Sequence, residues 1–158
     1  MNNQPQARTL QQWFDLYGES HQHTFNKLIH WLCVPLIYWV VVGFIYLIPS
    51  PADWPEGLWL VPVLLAVTVF YWRLSAVIAI GMLVFSLLCI LTHDWLQGSW
   101  GLYGAVFVVL WILQFIGHQV EGKRPSFFVD VQFLLIGPAW LLGKIYRRMG
   151  WLQQPHSV

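Results

Sequence analysis

The sequence predicts an all-α integral membrane protein, and three observations carry that expectation. Of the 158 residues, 58% are hydrophobic and only 9% are charged, against about 25% charged in an ordinary soluble domain. The apolar residues come in long runs rather than in period-two alternation, which favours spanning helices over a barrel. The basic residues collect in some loops and avoid others, as they do on the two sides of a bilayer.

The chain reads as a single membrane domain. Thr9 followed three residues later by Gln12 has the form of a capping box, and Leu10, Trp13, Phe14 and Tyr17 recur at helical spacing until Gly18. Residues 9–18 are therefore expected as a short amphipathic helix lying in the membrane interface. The residues before it lack the basic region and adjoining apolar stretch of a signal peptide, so the first apolar run is expected to remain as a span. Four apolar segments follow: Trp31 to Ile48, Leu58 to Trp72, Leu74 to Leu91, and Leu102 to Gly117. Each is near, or a little below, the ~20 residues that cross hydrocarbon. Breaks at Pro49-Ser50-Pro51 with Asp53 to Gly57, at Trp72-Arg73 and at His93 to Gly101 divide them into two hairpins of transmembrane helices. Phe127 to Gly143 is also apolar, but it contains Asp130, Gln132 and Pro138 and is flanked by basic residues on both sides. It is expected to be a re-entrant or interfacial helical segment.

Four spans place all eight basic residues on one side: Arg8, Lys27, Arg73, Lys123, Arg124, Lys144, Arg147 and Arg148. The opposite loops carry only Asp53, Glu56 and Asp94. Both termini are accordingly expected in the cytoplasm. With a net charge of +1 and its cations divided among several loops, the chain offers no phosphate-binding stripe, and nucleic acid is excluded as a partner. Cys33 and Cys89 stand alone in apolar runs and suggest packing rather than a disulfide or a zinc site.

This topology sorts the histidines. His21, His23 and His30 precede or begin the first span and His118 ends the fourth, so all four fall at the cytoplasmic interface. His93 ends the third span on the opposite face, about 30 Å of hydrocarbon away, and His156 lies in a polar tail. A single straight helix would separate His21 from His30 by about 13 Å, too far for a common ion. A new helix capped by Thr24 or Asn26 would instead let the preceding loop fold back over His30. Gln114, His118 and Glu121 fall at i, i+4 and i+7 and share one helix face. Several imidazoles with a carboxylate and no thiolate cluster suit Fe(II), whose two-His-one-carboxylate arrangement leaves positions open for oxygen and substrate. Zinc is admissible on ligand type alone. The competing reading is that the histidines are amphipathic interface residues and that Glu121 pairs with the following Lys123 and Arg124.

Two His-bearing blocks are specific in combination: Tyr17 to His21 with Asn26-Lys27-Leu28-Ile29-His30 and Pro35, and Gln114-Phe115-Ile116-Gly117-His118 with Glu121, Lys123-Arg124-Pro125 and Pro138. Together they resemble the small membrane family that includes 2-hydroxy fatty acid dioxygenases, and the resemblance covers nearly the whole chain. The resemblance implies an Fe(II)-dependent α-oxidation in which a long-chain 2-hydroxy fatty acid and O2 give the acid one carbon shorter and CO2. The substrate then supplies every electron, so no reductase is needed. It further implies His21, His30 and His118 as metal ligands, with His23 and Glu121 as additional candidates. Lys27, Lys123 and Arg124 become candidate anchors for the substrate carboxylate, with the acyl chain among the spans. In eukaryotic relatives this chemistry serves phytosphingosine breakdown. The expected location is the inner membrane of a bacterium or the endoplasmic reticulum of a eukaryote. The alternative is a non-enzymatic lipid-binding or scaffold protein whose histidines bind metal or head groups. A transporter is disfavoured because the spans carry few ionisable residues at midplane depth.

Overall fold

The computed structural model describes residues 8–124 and 132–153. Among them are six helices and no strand: α1 (Leu10–Glu19), α2 (Thr24–Tyr46), α3 (Leu60–Leu74), α4 (Ala76–Leu96), α5 (Trp100–Glu121) and α6 (Phe133–Arg148).

The capping box forms as the sequence indicates. Thr9 Oγ1 accepts the Gln12 N–H at 3.3 Å, and Gln12 Oε1 accepts the Thr9 N–H at 2.9 Å. The apolar face that α1 presents, however, is covered by protein. Trp13, Phe14 and Tyr17 are buried, Trp13 meets Phe133 edge-on at 5.4 Å between ring centroids, and Phe14 lies on Gly143 of α6. A methyl group at Gly143 would come within 2.5 Å of the Phe14 ring, so the absence of a side chain there is what admits the aromatic.

α2 begins well before the apolar run at Trp31, because His23 rather than Thr24 or Asn26 is the cap: its Nδ1 accepts the Phe25 N–H at 3.2 Å. α2 is the central helix and packs on α5, α4 and α6. The hairpin turn between the second and third apolar segments falls at Ser75 rather than at Trp72-Arg73. Ser75 is extended (φ −168°, ψ 124°) and its hydroxyl accepts the Ile78 N–H at 3.5 Å. α5 starts at the Ser99 cap and ends at Gly122, whose φ of 72° belongs to the left-handed region.

Three helices, α2, α4 and α5, are long and apolar enough to cross a membrane. α3 is apolar but has only 15 residues, about 22 Å at 1.5 Å per residue, short of a ~30 Å hydrocarbon layer. The outer faces of these helices expose large apolar side chains; Leu65 is 66% and Leu91 65% accessible, a surface suited to lipid rather than water. α6 covers much of the expected re-entrant or interfacial segment and runs on to Arg148. Its portion at 127–131 lies outside the described residues, as does His156.

Candidate metal centre

The turn between α1 and α2 brings His21 back over the first turns of α2. His21 and His30 have ring centroids 4.2 Å apart, His21 and His118 5.1 Å, and His30 and His118 4.9 Å. One ring nitrogen from each can be chosen so that all three lie within 4.8 Å of one another, and all three residues are buried.

Backbone carbonyls fix two of the rings. His21 Nδ1 lies 2.5 Å from Tyr17 O and His30 Nδ1 lies 2.9 Å from Asn26 O. A carbonyl only accepts, so each Nδ1 carries the proton and each Nε2 carries the lone pair. Among the described residues His21 Nε2 and His118 Nδ1 are buried with no hydrogen-bond partner, a condition that fits ring nitrogens meant for an ion. The Tyr17 ring stacks on His21 at 4.2 Å. Burial, chiefly, holds the His21 pKa down to about 4; the Tyr17 carbonyl opposes this and the neighbouring His118 adds to it. At neutral pH the ring is uncharged and free to donate to a cation.

The three imidazoles open on a cavity of about 50 Å3 also lined by Val34, Ile37, Trp111, Gln114 and Phe133 among others, with no acidic side chain in its wall among the described residues. Donor type, tautomer and the orphaned nitrogens fit a divalent transition metal. Among the described residues the donor set is three imidazoles without a carboxylate, because Glu121 is engaged elsewhere. Its Oε1 accepts the Gln22 N–H at 2.7 Å, and its Oε2 accepts the His23 N–H at 2.8 Å and Asn26 Nδ2 at 3.2 Å. Glu121 thus clamps the α1–α2 turn to the end of α5. His23 is exposed and spends its Nδ1 on the cap of α2. The structure brings together His21, His30 and His118, and it gives His23 and Glu121 these other partners.

Asn26 is the second part of the clamp. Fully buried, it donates from Nδ2 to Ser20 O at 3.1 Å as well as to Glu121. Its side chain fills the space beside Gly117, where a methyl group would stand 2.5 Å from Asn26 Oδ1. One residue therefore touches the turn that carries His21, the helix that carries His118 and, through its own carbonyl, the ring of His30.

None of the cations singled out in the sequence lines the cavity. Lys123 donates from Nζ to Glu19 O at 2.8 Å, Arg124 is exposed and Lys27 is half-buried. Sequence reasoning missed Trp140 and Lys144 of α6. The Trp140 ring lies 5.7 Å from that of His21, and Lys144 Nζ sits 3.4 Å over the Trp140 ring. Burial, with Lys27, Arg148 and Arg147 nearby, lowers the Lys144 pKa to about 8. The available signal was the i, i+4 spacing of Trp140 and Lys144 on one helix. His93 stands apart from the cluster: its ring nitrogens are 2.7 Å from the Tyr103 hydroxyl and 2.8 Å from Trp39 O.

Among the described residues, fold and site together define an all-helical protein with three helices long and apolar enough to cross a membrane and a buried three-histidine centre able to hold a metal. The chain belongs to the family described as 2-hydroxy-palmitic acid dioxygenase Mpo1-like, whose model matches residues 7–149. Neither the curated proteins nor the solved structures contain a significant match to it.

Proposed function

We propose that this protein is an Fe(II)-dependent dioxygenase that shortens a long-chain 2-hydroxy fatty acid by one carbon. The observation that carries the reading is the convergence of His21, His30 and His118, from three separate parts of the chain, on one buried cavity in a member of this family. The overall reaction is R-CH(OH)-COOH + O2 → R-COOH + CO2 + H2O, balanced in atoms and electrons, with the C1–C2 bond broken and the substrate as the sole reductant. Iron held by the three imidazoles would chelate the 2-hydroxy carboxylate and activate O2.

The chain's own residues supply the rest. The carbonyls of Tyr17 and Asn26 hold the His21 and His30 rings in the tautomer that presents Nε2. Val34, Ile37 and Phe133 keep the cavity wall apolar and limit access of water. Gln114, buried in the same wall, offers an amide to the substrate's polar head. Lys27, Lys123 and Arg124, joined by Lys144, draw an anionic head toward this end of the bundle without lining the cavity. The protein then sits in the membrane with four spans, the shorter α3 included, both termini cytoplasmic and the centre at the cytoplasmic interface.

The test is anaerobic purification, metal analysis and oxygen uptake with 2-hydroxypalmitate on wild type and His118→Ala in parallel. About one iron per chain, with uptake lost in the variant, is the expected result. Absence of bound metal from the wild type would overturn the mechanism in favour of a lipid-binding protein, and metal without turnover would overturn the substrate assignment.

A further inference from the structure

Along α2 the residues facing the cavity are His30, Val34 and Ile37; along α5 they are His118, Gln114 and Trp111. Each set advances by four and then three positions, a single helical face, and covers about 10 Å of axis. The two helices are antiparallel. His30 meets His118 at one end, and near the other a methyl group at Gly43 would come within 2.9 Å of the Tyr103 ring. Both stripes therefore start at the histidines and end, side by side, at Ile37 and Trp111.

The third wall is α6, through Phe133, Leu134, Gly137 and Pro138. α5 and α6 each pack on α2 but have no extensive contact with each other among the described residues. Among the described residues the cavity is thus a groove with α2 as its floor and α5 and α6 as its two sides. Its polar groups lie at the histidine end, and its far end is apolar. About 50 Å3 accommodates a few water-sized groups, enough for a carboxylate, a hydroxyl and O2 but not for a long chain. A chain that follows the two stripes leaves past Ile37 and Trp111, both half-buried on the wall.

We infer that this groove takes the single acyl tail of the substrate, which enters sideways from the bilayer between α5 and α6, and that Ile37 and Trp111 determine which chains pass. The inference rests on the 2-hydroxy acid reading above for the identity of the head group. The tail follows from the groove itself, since one polar end and one apolar end aligned along the spans match an amphiphile lying parallel to lipid.

The experiment is anaerobic equilibrium binding of labelled 2-hydroxyhexanoate and 2-hydroxypalmitate to the full-length, metal-loaded protein in lipid nanodiscs, with empty nanodiscs subtracted. Ile37→Trp narrows the groove and, in protein that retains its metal, is expected to weaken the long acid at least tenfold more than the short one. Trp111→Ala, which cannot overfill the site, is expected to change the ratio of long-chain to short-chain affinity at least threefold. An unchanged ratio in Trp111→Ala, or equal losses for both acids in a metal-retaining Ile37→Trp, would overturn the groove assignment. Wild-type binding that discriminates by chain length without turnover would overturn the dioxygenase reading and leave the groove standing. Turnover whose chain preference ignores both substitutions would do the reverse.

Discussion

Glu121, the last residue of α5, accepts the backbone N–H of His23 at 2.8 Å across 98 residues of chain. With the Gln22 N–H on its other oxygen and Asn26 Nδ2 on the same one, it satisfies donors that the turn before α2 would otherwise leave exposed. This carboxylate is the tie that holds the His21 segment against the His118 helix.

Replacing it should loosen the centre without removing a ligand. Glu121→Ala leaves these donors without their acceptor and is expected to cost roughly 1–3 kcal/mol, to weaken metal binding, and to raise protease cleavage between α1 and α2. Glu121→Gln keeps one acceptor oxygen and should fall between wild type and Glu121→Ala in all three. Equal metal affinity in Glu121→Ala and wild type would sink the clamp.

Gly117→Ala should be costly where Gly104→Ala is harmless. A methyl at Gly117 meets Asn26 Oδ1 at 2.5 Å, and one at Gly104 meets nothing within 4 Å. The expected loss at Gly117 is about 1–3 kcal/mol, with reduced metal content, while Gly104→Ala should be neutral or gain up to about 1 kcal/mol from helix propensity. Thermal midpoints of the two variants in one detergent decide the matter.

Metal-free protein should lose stability as the pH falls from about 6.5 to about 4. His21 has its folded pKa lowered from 6.5 to about 4, so in that window the unfolded chain binds a proton that the folded one refuses. The stability is complete above the unfolded value and declines until the folded value is reached, by roughly 3 kcal/mol. His21→Gln should flatten this part of the curve of unfolding free energy against pH.

α1 supports the centre from a distance. Phe14→Ala empties a site that is 2% exposed and should cost about 3–5 kcal/mol. Because α1 carries the Tyr17 carbonyl that orients His21, metal affinity is expected to fall as well. Retention of full affinity after detachment of α1, followed by protease sensitivity at its ends, would show that His21 needs no support from Tyr17.

Sidedness is open to a labelling test, since both native cysteines are buried. A membrane-impermeant maleimide applied to intact cells should modify Ala52→Cys and spare Gln153→Cys. The opposite pattern would invert the proposed topology and put the histidines on the outer face.

Composition and run length were enough to indicate helices long and apolar enough to cross a membrane and to place them approximately, and the topology they implied singled out the histidines of interest. Hydrocarbon demands long apolar helices and expels charge from them, and both demands are written in linear order. The capping box at Thr9 was equally readable because its two hydrogen bonds link residues three apart. What the sequence left open was any feature whose partner lies far along the chain. Whether His21 could reach His30 depended on the backbone between them, and that path is bent by Glu121, almost a hundred residues later. The same carboxylate looked like a metal ligand by helical spacing and chemistry, yet its orientation is decided by two backbone N–H groups that no spacing rule includes. Likewise the apolar face of α1 looked ready for the membrane interface, and only packing shows it covered by α6, where Gly143 leaves room for Phe14. Local hydrogen bonds and solvent preference act on neighbours and on averages, so the sequence states them directly; the three-histidine centre is a convergence of separate segments, and it exists only once tertiary contacts have chosen among the paths the chain allows.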